Sequence, residues 1–174
     1  MEMVTMIIGG CRSGKSRHAL SIGDALPARH KWFVATCQPQ DTEMLERVQR
    51  HQEERGSTWQ TIESPLHLAE DILQHAEPAD VVLIDCLTLW ASNLTLTMED
   101  DASIYDHLDR FTTWLDAPPC PIIIVTNEVG TGIVPENQLA RGYRDLVGRI
   151  NQQVAAASQR VIWMVAGIAV PIKS

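Results

Sequence analysis

Residues 9 to 16 read Gly9-Gly10-Cys11-Arg12-Ser13-Gly14-Lys15-Ser16, the G-x-x-x-x-G-K-[ST] pattern of a phosphate-binding loop. Each residue type answers a need of a polyphosphate. Gly9 and Gly14 allow backbone angles and a close approach that a Cβ would forbid, so successive N–H groups converge on phosphate oxygens. Lys15 offers a point charge to the β and γ phosphates, and the Ser16 hydroxyl is a ligand for Mg²⁺. Residues 3–8 before the loop form an apolar run suited to a buried strand, and residues 17–22 after it have helical patterning. Strand, loop and helix in that order are the setting the motif needs, with the helix N-terminus adding its dipole.

Outward from this stretch the chain keeps alternating. Residues 31–36, 59–63, 81–85, 122–126 and 160–166 read as further strands. Helices are expected over 41–55, 66–75, 87–94 and 103–115. A long one opens at Glu136, with Leu139, Tyr143, Leu146, Ile150 and Val154 on its apolar stripe. Residues 99–101 read as a solvated acidic loop, and residues 167–173 as a tail. The alternation predicts an α/β fold, a single P-loop NTPase domain (RecA/kinase-like) over residues 1–174 whose mainly parallel sheet is flanked by helices. Strand order is not written in this pattern.

Composition narrows the function. Hydrophobic residues make up 45% of the 174 and charged residues 21%, as in a globular domain. A net charge of −8 argues against nucleic acid or an anionic membrane as partner. No apolar run approaches the ~18 residues of a membrane span. The four cysteines, at 11, 37, 86 and 120, form no C-x-x-C pair. With no leader-like N-terminus they read as reduced thiols of a cytoplasmic protein.

Several side chains are candidates for chemistry. Asp85 closes an apolar strand downstream of the phosphate loop, the position of a carboxylate that helps hold Mg²⁺. His51 falls on the helix face that carries Met44 and Val48. It is either a satisfied core residue or a nucleophile, since neutral imidazole with a pKa near 6.5 can attack phosphorus. Arg47 and Arg55 lie one turn to either side and could steady phosphate oxygens or simply be solvated. Thr36 and Glu63 follow strands, where open α/β sheets place ligands, and Glu128 and Glu136 flank a Gly-containing loop.

Several stretches together resemble the bifunctional adenosylcobinamide kinase/adenosylcobinamide-phosphate guanylyltransferase family of cobalamin biosynthesis. They begin with residues 9–17, Ala35-Thr36 and Asp41-x-Glu43-Met44. Arg47-x-x-x-His51-x-x-x-Arg55-x-x-x-Trp59-x-Thr61-x-Glu63 and Asp85-Cys86-Leu87-Thr88-Leu89-Trp90 follow. The longest is Thr126-Asn127-Glu128-Val129-Gly130-x-Gly132-Ile133-Val134-Pro135, continued by Arg141-x-x-Arg144-Asp145 and Gly148-x-x-Asn151-Gln152. The resemblance spans nearly the whole chain, apart from about residues 95–120.

What the resemblance implies is specific. A nucleoside triphosphate, ATP or GTP, phosphorylates the aminopropanol hydroxyl of the corrinoid adenosylcobinamide. GTP then guanylylates that phosphate through a histidine–GMP intermediate, with the nucleophile falling on His51. Nucleotide contacts fall on Gly9, Gly10, Cys11, Arg12, Ser13, Gly14, Lys15, Ser16, Thr36, Gln52, Glu53, Glu54, Arg55, Glu63 and Asp85. Lys15 joins His51 in catalysis, Ser16 and Asp85 hold Mg²⁺, and the assembly is a homotrimer. The loop 127–135 is the first candidate for contact with the corrinoid. Two rivals stand beside this reading: a one-reaction small-metabolite kinase and a nucleotide-binding switch. Against the switch, Asn127-Glu128-Val129-Gly130 lacks the Lys and Asp of a guanine-reading N-K-x-D motif.

Overall fold

A computed structural model describes residues 3–39, 42, 46, 49, 52, 53 and 55–174. Its elements are β1 (Val4–Gly9), α1 (Lys15–Ala25), β2 (Lys31–Ala35), β3 (Trp59–Glu63), α2 (Leu68–His75), β4 (Val81–Asp85) and α3 (Leu87–Thr97). After these come α4 (Asp101–Leu115), β5 (Ile122–Asn127), α5 (Gln138–Ala157), β6 (Arg160–Val165) and β7 (Ile168–Lys173). The helix expected over residues 41–55 lies largely outside the described residues.

One seven-stranded sheet runs β3-β2-β4-β5-β1-β6-β7. Every neighbouring pair is parallel except β6–β7. Parallel strands covered on both faces need no polar alternation, so β1, β4 and β5 are apolar almost throughout and buried. The central trio keeps strict register: Gly9 of β1 lies beside Asn127 of β5, and Val125 beside Asp85 of β4. β1 and β5 therefore end at one level, with β4 ending two residues before it.

The two faces of the sheet are packed differently. One carries α2 to α5, with Trp90, Leu94, Leu108, Phe111, Ile150 and Val154 in its core. There the rings of Trp90 and Phe111 meet at 5.4 Å between centroids. The other face carries α1 against Ile7, Phe33, Trp59, Leu83 and Ile123. α1 comes close because its inward stripe is small: Ala19 and Gly23 are both buried. The Trp59 ring lies against Gly23 and is pinned by Nε1 donating to Asp24 Oδ1 at 3.0 Å.

Three expectations are corrected. Residues 168–173 are not a tail but the antiparallel edge strand β7. Ala166 (φ 50) and Gly167 (φ 82) make the two-residue turn before it, both left-handed as a tight hairpin requires. Pro171 is tolerated because β7 is an edge strand, where a missing N–H costs no inner ladder bond. The long helix starts at Gln138, since Asn137 Oδ1 accepts from Ala140 N at 3.0 Å and caps it; Leu139 is 62% exposed and off the core stripe. The acidic stretch is partly helical: Asp100 caps α4 through Ser103 N at 2.8 Å, and Asp101 is its first residue.

The β6–β7 hairpin also leaves apolar surface uncovered. Register places Trp163 beside Val170 and Val165 beside Ile168 on one face, with Ile172 next along β7. All five are at least 40% exposed.

The α1 contact yields a test. A Cβ at Gly23 would lie 2.6 Å from the pinned Trp59 ring. Overpacking of this kind costs about 2 kcal/mol, against about 1 kcal/mol gained in helix propensity. Gly23→Ala is expected to lower stability in urea titration by about 1 kcal/mol net. Gly142→Ala, at an exposed helical position with nothing within 4 Å, is expected to raise it by up to about 1 kcal/mol.

Candidate active site

The site forms where β1 turns into α1. Gly9 ends β1 so close to β6 that a Cβ would stand 2.4 Å from the Met164 carbonyl oxygen. Arg12 (φ 53) and Gly14 (φ 92) are left-handed, which curls the loop so that its amides face inward. Gly14 is the N-cap of α1 and offers no side-chain cap. The first-turn N–H groups of α1 are thus left for a ligand anion. Gly167 N donates to Ser13 O at 3.2 Å and ties the loop to the β6–β7 turn.

Lys15 is 7% exposed, its ammonium donating to Gly10 O at 2.6 Å across the loop it serves. The loop forms one wall of a cleft of about 790 Å³, which Lys15, Ser16, Asp85 and Arg55 all line. Ser16 and Asp85 bring a hydroxyl and a carboxylate to the same cavity. These are the hard oxygen donors that suit Mg²⁺, which characteristically takes one or two protein ligands and completes its shell with phosphates and water.

Arg55 is the least ordinary residue in the cleft. It is 8% exposed, and its guanidinium carbon sits 3.7 Å from the centroid of the Phe33 ring. Burial holds its pKa below the usual value, and the charge of Asp85 works against that shift. Its buried Nη1 has no hydrogen-bond partner among the described residues. A buried guanidinium with an unmatched donor costs free energy until an anion meets it, so the side chain suits a phosphate.

The other expected site residues scatter. Cys11, Arg12, Ser13 and Gly14 line the cleft; Gly10 lines a smaller depression of about 360 Å³ behind the loop, beside Glu128 and Trp163. Thr36 is wholly buried beneath the cleft, its Oγ1 bonded to both Cys86 N and Cys86 O at 2.9 Å, stitching β2 to β4. Glu63 is exposed at the end of the outer strand β3, and Gln52 and Glu53 are exposed. Arg47, His51 and Glu54 lie outside the described residues. Glu128 turns back on its own loop, accepting from Gly130 N at 2.5 Å, and Glu136 is exposed.

Phe33, Thr88 and Tyr143 also line the cleft and had no site role in the sequence reading, while Asn127 entered it only as the start of the loop 127–135. Phe33 and Tyr143 look like core residues in any periodicity. Asn127 gave a weak signal, a polar residue closing an apolar strand. The Tyr143 hydroxyl donates to Thr88 O at 2.9 Å, and burial pushes its pKa up to about 12, so the phenol stays a neutral donor.

A parallel sheet, a glycine-rich loop running into an uncapped helix, a buried lysine and a strand-end carboxylate define a P-loop nucleotide-handling protein. Solved structures agree on the fold. The chain superposes with TM-score 0.57 on an ATPase from the type III secretion system of pathogenic bacteria, at 13% identity over 97% of this chain and 56% of that one. Within this class, the chain belongs to the cobinamide kinase / cobinamide phosphate guanyltransferase family, whose model matches residues 5–172. It is 41% identical to the bifunctional adenosylcobalamin biosynthesis protein CobU of Salmonella typhimurium, over 98% of this chain and all of that one. Identity to the corresponding protein CobP of Pseudomonas aeruginosa is 39%, over 98% of each chain.

The thiols give a direct check on the cleft. Burial, seconded by the charge of Asp85, pushes Cys86 up to about 11, and burial does the same to Cys120. Raised values keep both protonated below that pH, so at pH 8 about 0.1% of either is thiolate. Iodoacetamide with peptide mapping should label the exposed Cys11 and leave Cys86 and Cys120 intact until the protein is unfolded. Rapid native labelling of Cys86 would contradict this packing.

Proposed function

We propose that the protein performs two successive transfers in cobalamin biosynthesis. The first moves the γ-phosphoryl group of ATP or GTP to the aminopropanol hydroxyl of adenosylcobinamide. The second moves GMP from GTP to that phosphate through a His51–GMP intermediate, giving adenosylcobinamide-GDP. Family membership supports both halves. The observation that carries the site reading is the pairing of two buried cations, Lys15 and Arg55, in one cleft.

The chemistry follows from one triphosphate cradle. In the guanylyl step a neutral imidazole nitrogen of His51 bonds to the α-phosphorus while the bond to the α,β-bridging oxygen breaks, and pyrophosphate leaves. The leaving charge sits on the β and γ phosphates, which the loop amides and Lys15 are arranged to neutralise. The corrinoid phosphate then displaces His51 from the GMP phosphorus. In the kinase step the same groups neutralise the transferred γ-phosphoryl and its nucleoside diphosphate. Which phosphorus reacts depends on which nucleophile lies in line. Bound Mg²⁺, held by Ser16 and Asp85, would add charge neutralisation at the phosphates.

Arg55 follows His51 by four positions. It is assigned to a phosphate oxygen of the bound nucleotide, together with Lys15. The corrinoid is assigned to the 127–135 loop, whose Asn127 and Val129 line the cleft and whose Ile133 and Val134 are 96% and 63% exposed. Four free cysteines support a reducing compartment, the cytoplasm. The homotrimer is what the family resemblance implies, and the apolar face of the β6–β7 hairpin supports contact between copies, because a patch of this kind is normally covered.

Two measurements test this. GTP labelled with radioactive phosphorus at the α position should leave an acid-labile, alkali-stable adduct on wild type and none on His51→Ala. No adduct on folded, GTP-binding wild type sinks the guanylyltransferase half. Sedimentation equilibrium should give about three times 19.4 kDa, falling toward one chain when Ile168 and Ile172 are both changed to Asp. A wild-type monomer removes the trimer.

A further inference from the structure

Asn127 stands at the floor of the cleft for reasons that core packing does not require. It is the last residue of β5, in register with Gly9, the first residue of the phosphate loop. Two positions back, on the same face of β5, Val125 is in register with Asp85. The side chain of Asn127 therefore faces the space between the loop and the strand-end carboxylate, and it lines the cleft.

It is held there from both ends. Asn151, 6% exposed, donates through Nδ2 to Asn127 O at 3.1 Å and accepts from Thr126 Oγ1 at 2.7 Å. On the next residue, Glu128 N donates to Gly9 O at 3.1 Å. The carboxamide Nδ2 donates to Thr88 Oγ1 at 3.0 Å. Thr88 is in turn fixed: it is 4% exposed, its carbonyl accepts from Tyr143, and its hydroxyl lies 3.0 Å from Cys86 Sγ. With one Nδ2 hydrogen committed to Thr88, Asn127 has Oδ1 and a second N–H left to offer, and of these only Oδ1 can accept from a hydroxyl. That atom has no hydrogen-bond partner among the described residues.

We propose that Asn127, clasped to Thr88, orients the acceptor hydroxyl for γ-phosphoryl transfer, its Oδ1 accepting the hydroxyl hydrogen bond. This rests on the two-reaction reading above and adds a residue that separates the reactions. A carboxamide oxygen aims a hydroxyl but is too weak a base to take its proton. In the step itself the acceptor oxygen bonds to the γ-phosphorus and the bond to the β,γ-bridging oxygen breaks, releasing nucleoside diphosphate. The hydroxyl proton passes to a non-bridging oxygen of the transferred group and then to water. Formation of His51–GMP involves no acceptor hydroxyl, so Asn127 Oδ1 has no part in it. Thr88 acts here through Asn127 and is a positioning residue.

The experiment measures both half-reactions on the same preparations of full-length protein. One assay follows phosphate-ester formation from adenosylcobinamide and GTP; the other follows adduct formation from GTP labelled at the α phosphate. Asn127→Ala is expected to lower kcat of the kinase step by roughly 10- to 100-fold, with KM for GTP within about 3-fold. Adduct formation should fall at least ten times less than that. Thr88→Val should reproduce the split and Thr88→Ser, which keeps the acceptor hydroxyl on the clasp, should restore kinase kcat. Equal loss in both assays, or a change confined to KM for GTP, overturns the proposal and makes Asn127 a nucleotide or structural contact. A wild type that performs both reactions, with variants that show no split, overturns this inference alone. A wild type that forms the adduct but no phosphate ester overturns it together with the kinase half of the proposed function.

Discussion

Three adjacent parallel strands stop within two residues of one level, and the site follows from that. Because β1, β5 and β4 are in register, Gly9 and Asn127 end up side by side, with Asp85 beside Val125 two residues back, without any long-range adjustment. Each strand then hands over to a different structure. β1 enters the phosphate loop, β4 enters α3 with Thr88 near its start, and β5 enters the loop that Arg141 and Arg144 fasten through the carbonyls of Pro135, Glu136 and Gly130. The sheet supplies a rigid baseline, and its apolar strands are what make the baseline rigid. Substituting polar residues into those strands would therefore disturb chemistry before it disturbed any contact with substrate.

The cleft keeps its positive charge out of water. Lys15 and Arg55 are each less than a tenth exposed, and one leans on backbone carbonyl while the other leans on an aromatic face. A cation so placed has already lost most of its hydration, so little solvent must be stripped from it when a phosphate arrives. Overall charge points the other way: the chain carries −8. The acidic surface and the basic pocket are compatible because the pocket is shielded and small, whereas net charge governs encounters at longer range.

Legibility in the sequence tracked how local each feature is. The phosphate loop, the buried strands and Asp85 depend on contiguous residues and were readable as such. The edge strand β7 was not, because its turn is Ala166-Gly167 rather than an Asn-Gly pair and because Pro171 interrupts its pattern. Leu139 matched the helical stripe yet is exposed, since the cap at Asn137 sets where the helix begins and the stripe only meets the core further on. The stacking of Arg55 on Phe33 and the clasp between Asn127 and Thr88, 39 positions apart, exist only once the sheet is assembled. Helical spacing singled out His51, and resemblance chose the nucleophile reading for it and supplied the trimer. Thr36, which it placed near nucleotide, joins β2 to β4 through Cys86, a contact that no pattern in the sequence announces.

The contact between Gly9 and the Met164 carbonyl has a meaning for how this protein could be modified or borrowed from. The cradle is shaped on one side by its own eight residues and on the other by the backbone of β6, which also presents the apolar hairpin face. Residues 9–16 are thus half of a mould. Transplanted into another strand–helix frame, they would keep their sequence and lose the wall that gives the loop its curvature.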